Sequence, residues 1–222
     1  IGPARRPARV HSVQRVWHQL MVIRHIVFDI GNELLSFDPE LAYLGLIPDQ
    51  VERHAFLRDI CSRDWITAQD RVHAWAPGEA ELIARYPDSE ALIRSFRQRW
   101  HDMVPEPIAD SVGILEQVSG DGVDVTALTN FNGETFDEAS QRFGFFGLFR
   151  GISVSGKIGL LKPEAEIFQH HVAAFDLVPE ATVFIDDVTA NVEAARNAGW
   201  HSVQFINPDR LRRDLRSLGV TV

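Results

Sequence analysis

Asp29 follows the apolar run Ile26-Val27-Phe28 and precedes the turn signal Ile30-Gly31-Asn32, so a carboxylate stands at the carboxyl end of a buried strand. Open α/β sheets place their chemistry at that end. A second acidic group, Asp186-Asp187, follows Val183-Phe184-Ile185 in the same way. Adjacent carboxylates behind an apolar run repel each other and lose hydration unless a cation lies between them. Hard oxygen ligands with no Cys or His nearby favour Mg²⁺. The competing reading is a helix N-cap for the helical run Thr189–Ala198, for which one aspartate suffices. Asn191 lies one helical turn beyond Asp187 and is spaced to orient an acid. Thr129-Asn130 ends another apolar run, and Lys162 precedes Pro163. The chain has 20 arginines and two lysines, Lys157 and Lys162, both within one six-residue window. A compact ammonium can neutralise a carboxylate and a transferred phosphoryl group together, where a planar guanidinium demands another geometry. Lys162 is the candidate; Lys157 is expected in solvent.

These groups need elements that bring them together. Five short runs read as strands: Ile23–Ile30, Val123–Thr129, Gly151–Ser155, Ala181–Ile185 and Ser202–Ile206. They alternate with stretches of helical period, the pattern of a parallel sheet covered by helices. Between the first two runs lie more than 90 residues without a strand, read as helices over Pro39–Gly45, Pro48–Cys61, Asp64–Trp75, Gly78–Tyr86, Ser89–Met103 and Asp110–Ser119. A crossover needs only about a dozen residues. The surplus implies an insertion, so the expected fold class is α/β: a Rossmann-like parallel sheet core, residues 21–38 and 108–222, with an inserted α-helical cap over residues 39–107. Parallel strands point the same way, so Asp29, Thr129, Lys162 and Asp186-Asp187 should converge on one crevice.

Composition bounds the function. Of 222 residues, 45% are apolar, enough for one sizeable core. The formal net charge of −9 includes four arginines in residues 1–20, which hold no acid, so the rest of the chain sits at −13. That balance argues against a nucleic-acid partner, because phosphate backbones are held by clustered cations. Residues 1–20 read as a disordered basic extension upstream of Met21. A single cysteine, Cys61, excludes an internal disulfide and fits a reducing cytoplasm. No apolar stretch reaches the roughly 20 residues of a membrane span. The expected partner is a small-molecule substrate in the cytoplasm, with no membrane; self-association through the cap or a helical edge is left open. The nine histidines are scattered, and His170-His171 are expected as solvated helix residues.

The segments VFDIGN, LTNFNGETF, GLLKPEAEIF and VFIDDVTANVEAARNAG, in that order, resemble the four motifs of the haloacid dehalogenase superfamily of hydrolases over about residues 22–222. The chain is similar to the branch whose helical cap lies between the first and second motifs. The resemblance implies Asp29 as nucleophile, Thr129 and Lys162 as residues holding the transferred group, and Mg²⁺ held by Asp29, the Gly31 carbonyl, Asp186 and Asp187. Asn130, beside Thr129, and Arg71 of the cap are the candidate substrate-binding residues; the other reading of Arg71 is a pair with a cap carboxylate. Trp65, Gln69, Asp70 and Arg71 resemble a cap segment of this branch, with Val72 where glycine is usual. Trp65 and Trp75 are expected to pack.

Gly31 departs from the familiar pattern, in which the residue two after the nucleophile is an acid that protonates the leaving group. General acid catalysis is worth roughly 10²–10⁴-fold. Substrates that expel a stable group, such as acyl, aryl or anomeric sugar phosphates, suffer least from its loss, and bacterial glucose-1-phosphatases resemble the chain here. Asp38 and Asp70 are the candidate substitutes for that acid. Glu33, where a small or apolar residue is typical, either points outward or impairs the site. The expected function is a Mg²⁺-dependent phosphatase of a small phosphorylated metabolite working through an aspartyl-phosphate. One alternative is a metal-independent 2-haloacid dehalogenase, disfavoured because each unpaired carboxylate would repel a haloacid by about 4 kcal/mol at about 4 Å and an effective dielectric near 20. The other is an inactive domain used for binding or assembly.

Overall fold

A computed structural model describes residues 22–222; the basic extension expected over residues 1–20 lies outside the described residues. Five strands form: β1 (His25–Phe28), β2 (Asp124–Thr129), β3 (Ile152–Val154), β4 (Thr182–Asp186) and β5 (His201–Gln204). All pair in parallel, in the order β3-β2-β1-β4-β5, with Phe28 opposite both Ala127 and Ile185. Each matches its expected run to within one or two residues at either end. Chain order reverses beside β1, so the ends of β1 and β4 flank the crevice where such sheets bind ligands.

The strands are apolar on both faces because both faces are covered. Val27, Leu128 and Phe184 pack on one side with Ile167, Phe168 and Trp200. Ile26, Phe28, Val183 and Ile185 pack on the other with Ile114, Leu115, Leu211 and Leu215. Strand neighbours fall in opposite clusters, as the two-residue side-chain period requires.

Residues 39–107 hold six α-helices, α1 (Glu40–Tyr43), α2 (Gln50–Asp59), α3 (Arg63–Asp70), α4 (Ala76–Arg85), α5 (Glu90–Gln98) and α6 (Trp100–Met103). They are followed by α7 (Ala109–Gly120), α8 (Gly133–Arg142), α9 (Ser155–Ile158), α10 (Ala165–Phe175), α11 (Thr189–Asn197) and α12 (Pro208–Ser217). Asp49 and Ser62 cap α2 and α3 by accepting from Glu52 N and Trp65 N. Helix α3 ends at Asp70, short of the expected Trp75, and the expected Ser89–Met103 helix breaks at Arg99. That break turns Trp100 onto Phe131, 5.8 Å away, which joins the insertion's interior to the sheet's own core. Trp65 packs edge-on against Trp75 and Phe96, in keeping with a packing role.

One expectation is overturned. His171 is not solvated: it lies fully buried on α10, its ring nitrogens 2.9 Å from Thr126 Oγ1 and 2.8 Å from Ser153 Oγ. The helical period that turns Ile167 and Phe168 toward the sheet carries His171 with them, and burial pushes its pKa down to about 3, so it stays neutral. Among the described residues no helix is long and apolar enough to cross a membrane.

Candidate active site

β1 ends at Phe28, and Asp29 leaves the sheet with its amide still paired to Ile185 O. Its Oδ1 accepts from Ile30 N at 2.7 Å and lies 3.0 Å from Lys162 Nζ, which leaves Oδ2 to the cavity. The following turn is tight. Asn32 takes a left-handed φ of 58°, and Leu34 N and Leu35 N both return to Ile30 O. This reversal carries Glu33 inward, where it is 1% exposed.

Lys162 is the pivot of the site. Its ammonium is buried between Asp29 and Asp186, 2.7 Å from Asp186 Oδ2. Asn130 fixes the lysine's peptide from both sides: its Oδ1 accepts from Lys162 N and its Nδ2 donates to Lys162 O, each at 2.9 Å. Asp186, fully buried at the end of β4, also accepts from Val188 N at 2.8 Å and from Asn191 Nδ2 at 3.0 and 2.9 Å. The expected role of Asn191 as an orienting amide therefore has its geometry. Asp187, half-buried, borders the cavity.

Carboxylate oxygens of Asp29, Glu33, Asp186 and Asp187 lie within 4.8 Å of one another. Such crowding shows in their acidity. Burial pushes Asp29 up to about 6, opposed by the adjacent ammonium and reinforced by Asp186. Glu33 is raised well above the usual range by burial, then by Asp29 and Asp186. Asp187 is raised by burial and by Asp186. Burial pulls the Lys162 ammonium down, but Asp186 and Asp29 outweigh it and hold the group above its ordinary value. One ammonium does not balance four acids. Both oxygens of Glu33 are buried without a hydrogen-bond partner, so the donor set fits a divalent cation: hard oxygens only, with an orphaned acid beside them.

Above this floor opens a cavity of about 560 Å³. Asp29, Gly31, Asn130, Lys162 and Asp187 border it below, and the insertion supplies Leu57, Ile66, Asp70, Trp75 and Phe96. A Cβ on Gly31 would meet nothing within 4 Å. Asp38 also borders the space. Asp70, at the end of α3, accepts from Asn132 N at 3.1 Å, and burial pushes it up to about 7. A groove of about 680 Å³ along β5 and α12 holds none of these groups.

Not every candidate reaches the cavity. Thr129 closes β2, buried, while Asn130 and Phe131 form the wall beyond it. Arg71 pairs with Glu164, just before α10, and does not border the cavity. Lys157 is exposed as expected and lies 2.6 Å from Asp137. Of the two readings of Glu33 the outward one is overturned, since the Gly31-Asn32 turn carries it inward, and the Asn130 clamp on the Lys162 peptide was missed.

A family model for haloacid dehalogenase-like hydrolases matches residues 65–205. Over 198 residues the chain is 26% identical to the sesquiterpene phosphatase astK of Aspergillus oryzae, covering 86% of this chain and 94% of that protein. Its fold is similar to that of a HAD-like family hydrolase from Porphyromonas gingivalis, with a TM-score of 0.71 at 22% identity over 91% of this chain and 100% of the other. It is also similar to a HAD family enzyme from Bacteroides thetaiotaomicron in complex with magnesium and inorganic phosphate, TM-score 0.62 at 19% identity over 82% and 93%. With more than half its length inside the family model and the motif-bearing strand ends gathered at one crevice, the chain belongs to the haloacid dehalogenase-like hydrolases.

Proposed function

We propose that the protein is a Mg²⁺-dependent phosphatase of a small phosphorylated molecule, with Asp29 as nucleophile and residues 39–107 as the cap that selects substrate. The observation that carries this reading is the buried Lys162 bridging Asp29 and Asp186 beside a further acid pair, a charge set that suits a phosphoryl group with a divalent cation. Its similarity to a named phosphatase and to a fold that holds magnesium and phosphate agrees with it.

Asp29 Oδ2 attacks phosphorus; the phosphorus–oxygen bond to the leaving group breaks, and the departing oxygen keeps the electron pair and takes a proton from solvent. Water then attacks the phosphorus of the aspartyl-phosphate, releasing phosphate and restoring the carboxylate. The Lys162 ammonium offsets negative charge at both stages, and Asn130 keeps it from swinging away. A Mg²⁺ ion bound among Asp29, the Gly31 carbonyl, Asp186 and Asp187 would supply further neutralisation of phosphoryl oxygens. The cap side of the cavity is largely aromatic and aliphatic, which favours an ester whose organic part is apolar. A sesquiterpene phosphatase among the relatives fits that preference.

The test is a paired assay: aryl and acetyl phosphate with Mg²⁺ or chelator, beside 2-chloropropionate with halide detection. Phosphate release that stops with chelator and with Asp29→Asn is the expected result. Chelator-resistant halide release would establish the dehalogenase instead, and inertness toward all substrates would leave the binding domain.

A further inference from the structure

We infer that Glu33 is an additional ligand of the divalent cation, a fourth carboxylate beside Asp29, Asp186 and Asp187. The inference rests on the Mg²⁺ reading above and extends it to a residue which that reading does not use.

Three observations carry it. Glu33 is 1% exposed, so neither oxygen is hydrated by bulk solvent. Both oxygens lack a hydrogen-bond partner, whereas the carboxylate of Asp186 is held by Lys162, Val188 N and Asn191. One Glu33 oxygen is aimed into the acid group, within 4.8 Å of an oxygen on each of its three members. A carboxylate buried without a donor is among the costliest groups a core can hold. A cation resolves it at once, supplying the missing positive charge and accepting the free lone pairs.

The separations are compatible with one ion. Donors on opposite sides of Mg²⁺ lie about 4.2 Å apart, twice the Mg–O bond, and donors around Ca²⁺ up to about 5 Å. The observed limit of 4.8 Å falls between these, so the four oxygens can close on Mg²⁺ with small side-chain movement. Lys162 is already committed to Asp29 and Asp186, so it does not satisfy Glu33. The tight turn at Asn32 explains how a residue four beyond the nucleophile returns to the same ion.

The test measures binding directly. Isothermal titration of the full chain with Mg²⁺, and separately with Mn²⁺, should show Glu33→Gln binding at least tenfold more weakly than wild type, with circular dichroism unchanged. Glu33→Asp, which keeps the charge on a shorter arm, should recover part of the affinity. Thermal melting gives a second readout: excess Mg²⁺ should raise the wild-type melting temperature more than that of Glu33→Gln. Should the variants not fold, a Mn²⁺-soaked wild-type crystal decides, since an anomalous peak with a Glu33 oxygen bound directly to it supports the assignment. Wild-type affinity in Glu33→Gln, or an ion that Glu33 does not touch, would overturn it while Mg²⁺-dependent phosphatase activity stands. A wild-type chain that binds no divalent ion would overturn both.

Discussion

At the scale of single residues, the proposed nucleophile Asp29 has Gly31 where an acid two positions on would serve the leaving group. Gly31 borders the cavity and has open space where a side chain would begin, with no left-handed backbone that demands glycine. Gly31→Asp should therefore fold and place a carboxyl near the departing oxygen. We expect alkyl phosphates, whose leaving groups need a proton, to gain on the order of 10²-fold in kcat, the lower end of what general acids contribute. Aryl phosphates should change little, so the alkyl-to-aryl ratio is the measurement, and an unchanged ratio would show that another acid already serves. Asn130 offers a separate test. It touches Lys162 only through the peptide, so Asn130→Ala removes two hydrogen bonds of about 1 kcal/mol each and should lower kcat about tenfold through a misplaced ammonium. Asn130→Asp, which keeps the acceptor for Lys162 N but loses the donor to Lys162 O, should fall between. Most of these residues were legible in the sequence because an acid or an amide after a buried run must sit at a strand end. Glu33 was not: alternation and helical period say nothing about a residue inside a tight turn, and the left-handed Asn32 alone decides which way it faces.

Between elements, the contact that matters most joins the end of α3 to the loop after β2. Asn132 caps α8 through Glu134 N and Thr135 N while its Nδ2 donates to Gln69 O and Val72 O, and Gly133 N and Glu134 N bond Val72 O and His73 O. Backbones this close leave no room for side chains. A Cβ on Gly156 would come within 2.4 Å of Gly133 N and 2.7 Å of both Phe131 O and Val72 O. Gly156→Ala should thus cost roughly 1–3 kcal/mol in denaturant unfolding, as overpacking does. It should raise KM as well, since the insertion seats on the cavity through this seam; a stable variant with wild-type KM would show the seam to be incidental. The strands and the six expected helices, apart from the break at Arg99, were readable because apolar runs and helical periods are local signals. This seam was not readable, because it pairs residues some 60 positions apart through backbone atoms that carry no sequence signature. Arg71 illustrates the same limit: its type suggested an anion or a cap acid, and its partner is Glu164, in a segment more than 90 residues away.

For the whole molecule the decisive property is a fold that gathers four acids around one ammonium and so holds Asp29, Glu33 and Asp187 protonated to higher pH than usual. Asp29 and Asp70 have ordinary values of 3.8 and are raised to about 6 and about 7 by burial. Carboxyls raised in the folded state bind more protons there than in the unfolded chain, so the metal-free protein loses stability as pH climbs from about 4 through 7. A divalent ion held as proposed would bind the ionised acids of the cluster, and its contribution would grow over the same window because fewer protons must be displaced. The melting temperature in chelator should therefore fall between pH 5 and pH 8, while the gain on adding excess Mg²⁺ should widen. His171, held neutral in the fold by burial, acts in the opposite sense below about pH 6.5, where the unfolded chain protonates it, but it contributes equally with and without Mg²⁺ and leaves the Mg²⁺ gain unchanged. Asp70 lies outside the acid cluster, so Asp70→Asn should flatten part of the chelator curve and leave the Mg²⁺ gain in place. A Mg²⁺ gain that stayed constant across pH would mean that the cluster is already ionised in the metal-free fold, and that Lys162 alone outweighs the repulsion among its neighbours.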